Sequence, residues 1–169
     1  MTIALTVSYV VHVVSAAFWT GSVLYAAYTI IPTARSGGLP AAAFERSVDG
    51  LLRVTRWTGL ALPLTGAYQI WVLYPTDRLF GTTSGHLVLG MALLWTVMNG
   101  VVELGCYRMR TLDGPSVGIG QYMSEGFVIG EDVAVPRLAA VGRPYVLVAS
   151  VLAVALLVDA ALLAGGVPV

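Results

Sequence analysis

The chain has 169 residues, 57% of them hydrophobic and 11% charged, with nine acids against nine bases and a mean hydropathy of +0.83. A soluble domain carries about a quarter charged residues, so this composition excludes a disordered chain, a disulfide scaffold and a charged nucleic-acid binder, and points to an integral membrane protein. All nine bases are Arg, and Cys106 is the single cysteine, so no intrachain disulfide can form and Cys106 reads as a small buried hydrophobe.

No charged residue occurs from Met1 to Ala34, between Arg56 and Asp77, or between Leu79 and Val102, and a fourth apolar run starts at Pro144. A span needs about 20 largely apolar residues. Four transmembrane helices are therefore expected, near 4–31, 55–74, 86–107 and 144–164, forming an all-α four-helix bundle in one membrane domain of residues 1–169. The first run is long for a cleaved signal peptide and has no positive start. Pro32 is expected to close the first helix. From Pro40 to Trp57, apolar Phe44, Val48, Leu51 and Leu52 recur at helical spacing with Glu45, Arg46, Asp49 and Arg53 between them. That pattern predicts an amphipathic helix lying in the membrane interface between helices one and two. Pro63 should kink the second helix and Pro75 should close it, while Pro144 suits the first turn of the fourth. The segment 111–141 is Gly-rich and irregular, and no element is assigned to it.

The arginines set the expected topology. Arg35, Arg46, Arg53 and Arg56 flank the first connection and Arg108, Arg110, Arg137 and Arg143 the third, against Arg78 alone in the second. By the positive-inside rule both termini face outside. The two histidines, His12 and His86, then begin helices that run in the same direction, and Gln69 and Asp159 on the returning helices fall in the same outer leaflet. Ionisable groups inside a span usually face the bundle or a cavity. Ser8, His12, Ser15, Trp19 and Ser22 share one helical face, as do Thr55, Thr58, Leu62, Thr65 and Gln69, and small hydroxyl residues suit a helix–helix interface in lipid. A lone His in a span is more often a packing residue than a ligand; two at one depth bring ligation to even terms. Imidazole is the commonest protein ligand to metals. Two histidines are too few for a structural zinc site, which takes four ligands, but they match the two axial positions of a haem. Copper could use His12 and His86 with Asp159 or Met91. Toward the inner side, Glu103 is expected to pair with Arg53 or Arg56.

The stretch His12-Val-Val-Ser-Ala-Ala-Phe-Trp19-Thr-Gly21, followed by Tyr25, resembles the first helix of the CopD/HemJ-like membrane superfamily. The resemblance continues through Arg56 to Gly66, at His86-Leu-Val-Leu, and from Arg137 to Pro144. It implies a four-helix membrane core with an external-side His, haem b on His12 and, by matching position, on His86. HemJ-like proteins carry a Lys two residues after the third-helix His; here that residue is Val88, and the chain has no Lys, which sets protoporphyrinogen oxidation aside. The CopD-like branch implies copper uptake or resistance, although the chain is much shorter than the large proteins of that branch and has no Met- or His-rich copper motif.

The expectation is a multi-pass cell-membrane protein that binds haem b through His12 and His86 near the outer face, with Trp19, Ser15 and Gln69 beside it, and that transfers electrons or senses redox state without a catalytic residue of its own. Copper held by His12, His86 and Asp159 is the alternative, and a cofactor-free accessory subunit the second alternative. Expected partners are the lipid bilayer and a redox protein or a second copy of the chain.

Overall fold

The computed structural model describes residues 2–112, 117–130 and 133–166, and all regular structure among them is helical. Helix α1 (Ile3–Tyr25) is capped by Thr2, whose side chain accepts from the Leu5 amide. It runs without a break through a π-helical turn, Ala26–Ile30, into α2 (Ile31–Arg35). Pro32 therefore does not close the first helix. Its ring and missing N–H fall directly after a widened turn, which accommodates them. The chain reverses at Gly37, whose φ of +76° favours glycine.

The next helix corrects the expected interfacial element. Helix α3 (Ala41–Leu73) is continuous for 33 residues, so the amphipathic segment and the second apolar run form one rod. Its apolar stripe, Phe44, Val48, Leu51 and Leu52, is buried in the protein core rather than laid on a membrane surface. A stripe of that width suits either setting; the core is available because the other long helices extend alongside it. Pro63 sits inside α3, and Pro75 follows its end as expected.

Helix α4 (Thr76–Gly81) is a short connection to α5 (Thr83–Arg110), which is capped by Thr82. Within the unassigned segment, α6 (Ile119–Glu125) forms between Gly118 and Gly126. Helix α7 (Val135–Gly165) starts nine residues before Pro144, with Pro136 in its first turn, so Pro144 is internal to the helix.

Three helices are long and apolar enough to cross a membrane: Ile3–Arg35, Thr83–Arg110 and Val135–Gly165. Helix α3 matches them in length but is more polar. The helices pair antiparallel. Ser8 and His12 of α1 meet Thr65 and Gln69 of α3. On α5, Gly90 lies against Asp159, and Gly105 against Tyr145, both of α7. A Cβ on Gly105 would stand 2.6 Å from the Tyr145 Cβ, and one on Gly142 would stand 2.3 Å from the Met109 sulfur. Close backbone approach of this kind is how helices pack where lipid removes the hydrophobic drive between them.

The core lies toward one end. Trp19, Val23 and Ala27 of the first helix, Phe44 and Leu52 of α3, Met98 and Val102 of α5, and Leu138 and Ala149 of α7 belong to one buried cluster that also takes in Tyr122 and Phe127. Most of the arginines stand at this end, and the two histidines toward the other. We call them the arginine end and the histidine end.

Candidate functional site

His12 sits one helical turn beyond Ser8, on the face of α1 that meets α3, and is half-buried. Its Nδ1 lies 2.7 Å from the Thr65 hydroxyl. That hydroxyl has one proton, and it is directed at the Ala61 carbonyl at 2.6 Å, the back-bond usual for a helical threonine. Thr65 therefore accepts from His12, and the imidazole carries its proton on Nδ1. Beside it, Gln69 donates to the Ser8 hydroxyl at 3.2 Å, and Ser8 donates to the Thr65 carbonyl at 3.3 Å. Both chains of hydrogen bonds end on α3 backbone carbonyls, which holds α1 and α3 in register. Gly66 leaves room for the ring, since a Cβ there would stand 3.4 Å from the His12 Cε1. Of the expected site residues, His12 and Gln69 are thus brought together.

His86 is not part of this group. It is exposed, and its Nε2 donates to the Phe80 carbonyl at 3.0 Å. The histidines share an end but not a level. Gly59 of α3 faces Asn99 of α5, and at 1.5 Å per residue this sets the level of His12 near Leu93, about 10 Å deeper than His86. The expected common depth is corrected accordingly: His12 lies nine residues into α1, whereas His86 lies three residues into α5.

Asp159 lies on α7 against Gly90, one turn from His86, and is buried with its Oδ1 unpartnered. Trp19 is enclosed in the core at the arginine end, its indole N–H also without a partner. Ser15 lines an open groove between α1 and α3. Among the described residues, no three His, Cys, Asp or Glu side chains come together as a metal site.

A second polar cluster closes the arginine end. Arg56 of α3 pairs with Glu103 of α5 at 3.2 Å, which selects Arg56 over Arg53 as its partner. The Tyr122 hydroxyl donates to Glu103 at 2.7 Å, and Arg56 donates to the Met123 carbonyl at 3.0 Å and stacks over the Tyr122 ring. Burial pushes the Tyr122 hydroxyl well up, so it stays protonated and remains a donor to the carboxylate. Arg110 pairs with Glu125 and donates to the Gly126 carbonyl. Gly126 has φ +76°, and a Cβ there would stand 2.6 Å from an Asp49 carboxylate oxygen, so only glycine serves. Phe127 then inserts edge-on to Phe44. The two glycines bracketing 119–125 were the available signal for α6. Nothing in the apolar periodicity marked Tyr122 or Phe127 as core.

No family model matches the chain, and no curated protein and no solved structure matches it.

Proposed function

We propose that the protein is a small haem b-binding membrane protein of the CopD/HemJ-like type, serving electron transfer or redox sensing, with the half-buried His12 as a residue that would hold the haem. The observation that carries this reading is the His12–Thr65–Ala61 hydrogen-bond chain. A ligating histidine characteristically donates its other ring N–H to a second-shell acceptor, which orients the ring and fixes the tautomer. His12 has that arrangement before any ligand arrives. The fit is good at His12 and incomplete at His86, whose Nε2 is engaged by Phe80. His86 would have to leave the Phe80 carbonyl and approach the level of His12 to hold the same haem. Haem, when bound, supplies a one-electron couple; Thr65 orients the His12 ring, Gln69 and Ser8 hold α1 against α3, and the exposed apolar side chains at this end exclude water.

The proposal takes α3 as the fourth span of a four-helix bundle in the cell membrane, with the arginine end inside and both termini outside. Protein purified from haem-replete cells shows a Soret band, and His12→Ala removes it. Copper bound stoichiometrically by a colourless protein, and lost in His12→Ala, would replace haem by copper at the same side chain. The same hydrogen bonds also favour a cofactor-free accessory subunit, because His12 already holds two helices together. A colourless, metal-free wild type would establish that reading and overturn the haem one.

A further inference from the structure

The α1–α3 seam opens, on its outward side, into a groove of about 320 Å³. Val14 and Phe18 form one wall and Val54 and Trp57 the other, with Gly50 and Arg53 toward the arginine end. With α3 taken as a membrane span, the reading proposed above on which this inference rests, the groove belongs to the surface that a bilayer covers. On α3 the exposed apolar side chains run from Trp57 through Leu60 and Leu64 to Trp71, a stretch with a tryptophan at each limit, as an aromatic belt places them. Trp57 thus marks one edge of the hydrocarbon layer, and Arg53, one turn further on, stands at headgroup level. Arg53 has a side chain 74% exposed and pairs with Asp49 at 2.5 Å on the same helix. An exposed pair of this kind is weak and leaves the guanidinium available to an anion.

We propose that this groove is a binding site for an anionic phospholipid, whose phosphate engages Arg53 and whose acyl chain lies between Phe18 and Trp57. Charge and shape agree on the occupant: one end carries Arg53, and the rest is mainly apolar, with Ser15 and Thr58 as its hydroxyls. Gly50 supplies the means to test it. A Cβ built there meets nothing within 4 Å, so a larger side chain fills the groove without displacing the helices. Asp49 competes with the phosphate for Arg53, so neutralising it should strengthen the site. The proposal is independent of the haem reading.

The test is native mass spectrometry of the full chain released from nanodiscs of equal phosphatidylglycerol and phosphatidylcholine. The wild type is expected to retain one lipid, with about a fivefold preference for phosphatidylglycerol, as expected for one arginine near a membrane surface. Arg53→Ala abolishes the preference, Arg53→Lys keeps part of it, and Asp49→Asn raises it. Gly50→Leu loses retained lipid of both kinds at a thermal stability no lower than wild type, since glycine is the poorer helix former. Equal retention of the two lipids by the wild type, or undiminished retention by Gly50→Leu, would overturn the proposal.

Discussion

At the arginine end, Phe44, Leu52, Met98, Leu138 and Phe127 are almost wholly enclosed by protein, while at the histidine end α1 turns Val7, Val10 and Val13 outward and α7 does the same with Val154 and Val158. The same helices are therefore joined in two ways along their length. At one end aromatic and aliphatic side chains interlock as in a soluble domain, closed over by α6 and Phe127. At the other, hydroxyls and an imidazole do the joining, and the apolar side chains are left to the lipid. The contrast follows from the solvent. Water outside a core drives apolar burial; hydrocarbon does not, so hydrogen bonds take over. It also separates tasks, because a loosely enclosed end held by directional bonds can admit a ligand that an interlocked one cannot.

The strongest way to break this contrast is at the aromatic plug. Phe127→Ala should cost about 3–5 kcal/mol, the range for emptying a buried aromatic site, read as a lowered midpoint of thermal unfolding in detergent. A loss no larger than that of His12→Ala would mean that the arginine end is no better packed than the other.

Next comes the ion pair beneath the plug. Arg56→Gln and Glu103→Gln should each cost about 1–3 kcal/mol, since either leaves a half-buried charge without its partner. The double variant should cost less than the two single losses together. Strict additivity in that cycle would show that the pair is not coupled.

Thr65→Val sharpens the contrast from the histidine side. Stability should fall by only about 0.6 kcal/mol, the average for a hydrogen bond between membrane helices. Haem affinity should fall about 10–100-fold, the usual effect of removing a second-shell partner. Equal haem affinity in Thr65→Val and wild type would remove Thr65 from any orienting role.

The smallest effect lies on the surface. Hydrogen bonding from Gln121, and then pairing with Arg110, holds the Glu125 carboxyl below its ordinary range. Its contribution is present above the unfolded carboxylate pKa and disappears as pH falls through the lower folded value. Removing it with Glu125→Gln should lower stability slightly at neutral pH, leave it unchanged below the folded value, and so flatten the acid side of the stability profile. A change at neutral pH as large as that of Glu103→Gln would contradict the exposed placement of Glu125.

Much of the architecture was legible because charge is so scarce in this chain. The uncharged runs located the long apolar helices, and the hydroxyl faces of Ser8–Ser22 and Thr55–Gln69 identified the seam on which His12 lies. Helix ends were read less well where proline was taken as a boundary: Pro32, expected to close a helix, follows a π turn, and Pro144, expected to open one, is carried inside α7. The stripe of Phe44, Val48, Leu51 and Leu52 stated that one face is buried, but not whether lipid or protein buries it. That depended on α6 and Phe127, which occupy a segment whose glycines hide its packing residues from any periodicity. The level of His86 was missed for a related reason, since only tertiary register relates one helix's residue count to another's.

The most direct test of the account is titration of haem b into apo-protein in nanodiscs, comparing wild type, His12→Ala and His86→Ala by absorption. The account predicts stoichiometric uptake by the wild type, loss of the ligated Soret band in His12→Ala, and a weaker, spectrally altered complex in His86→Ala. Uptake by His12→Ala indistinguishable from wild type, or no uptake by the wild type, would contradict it.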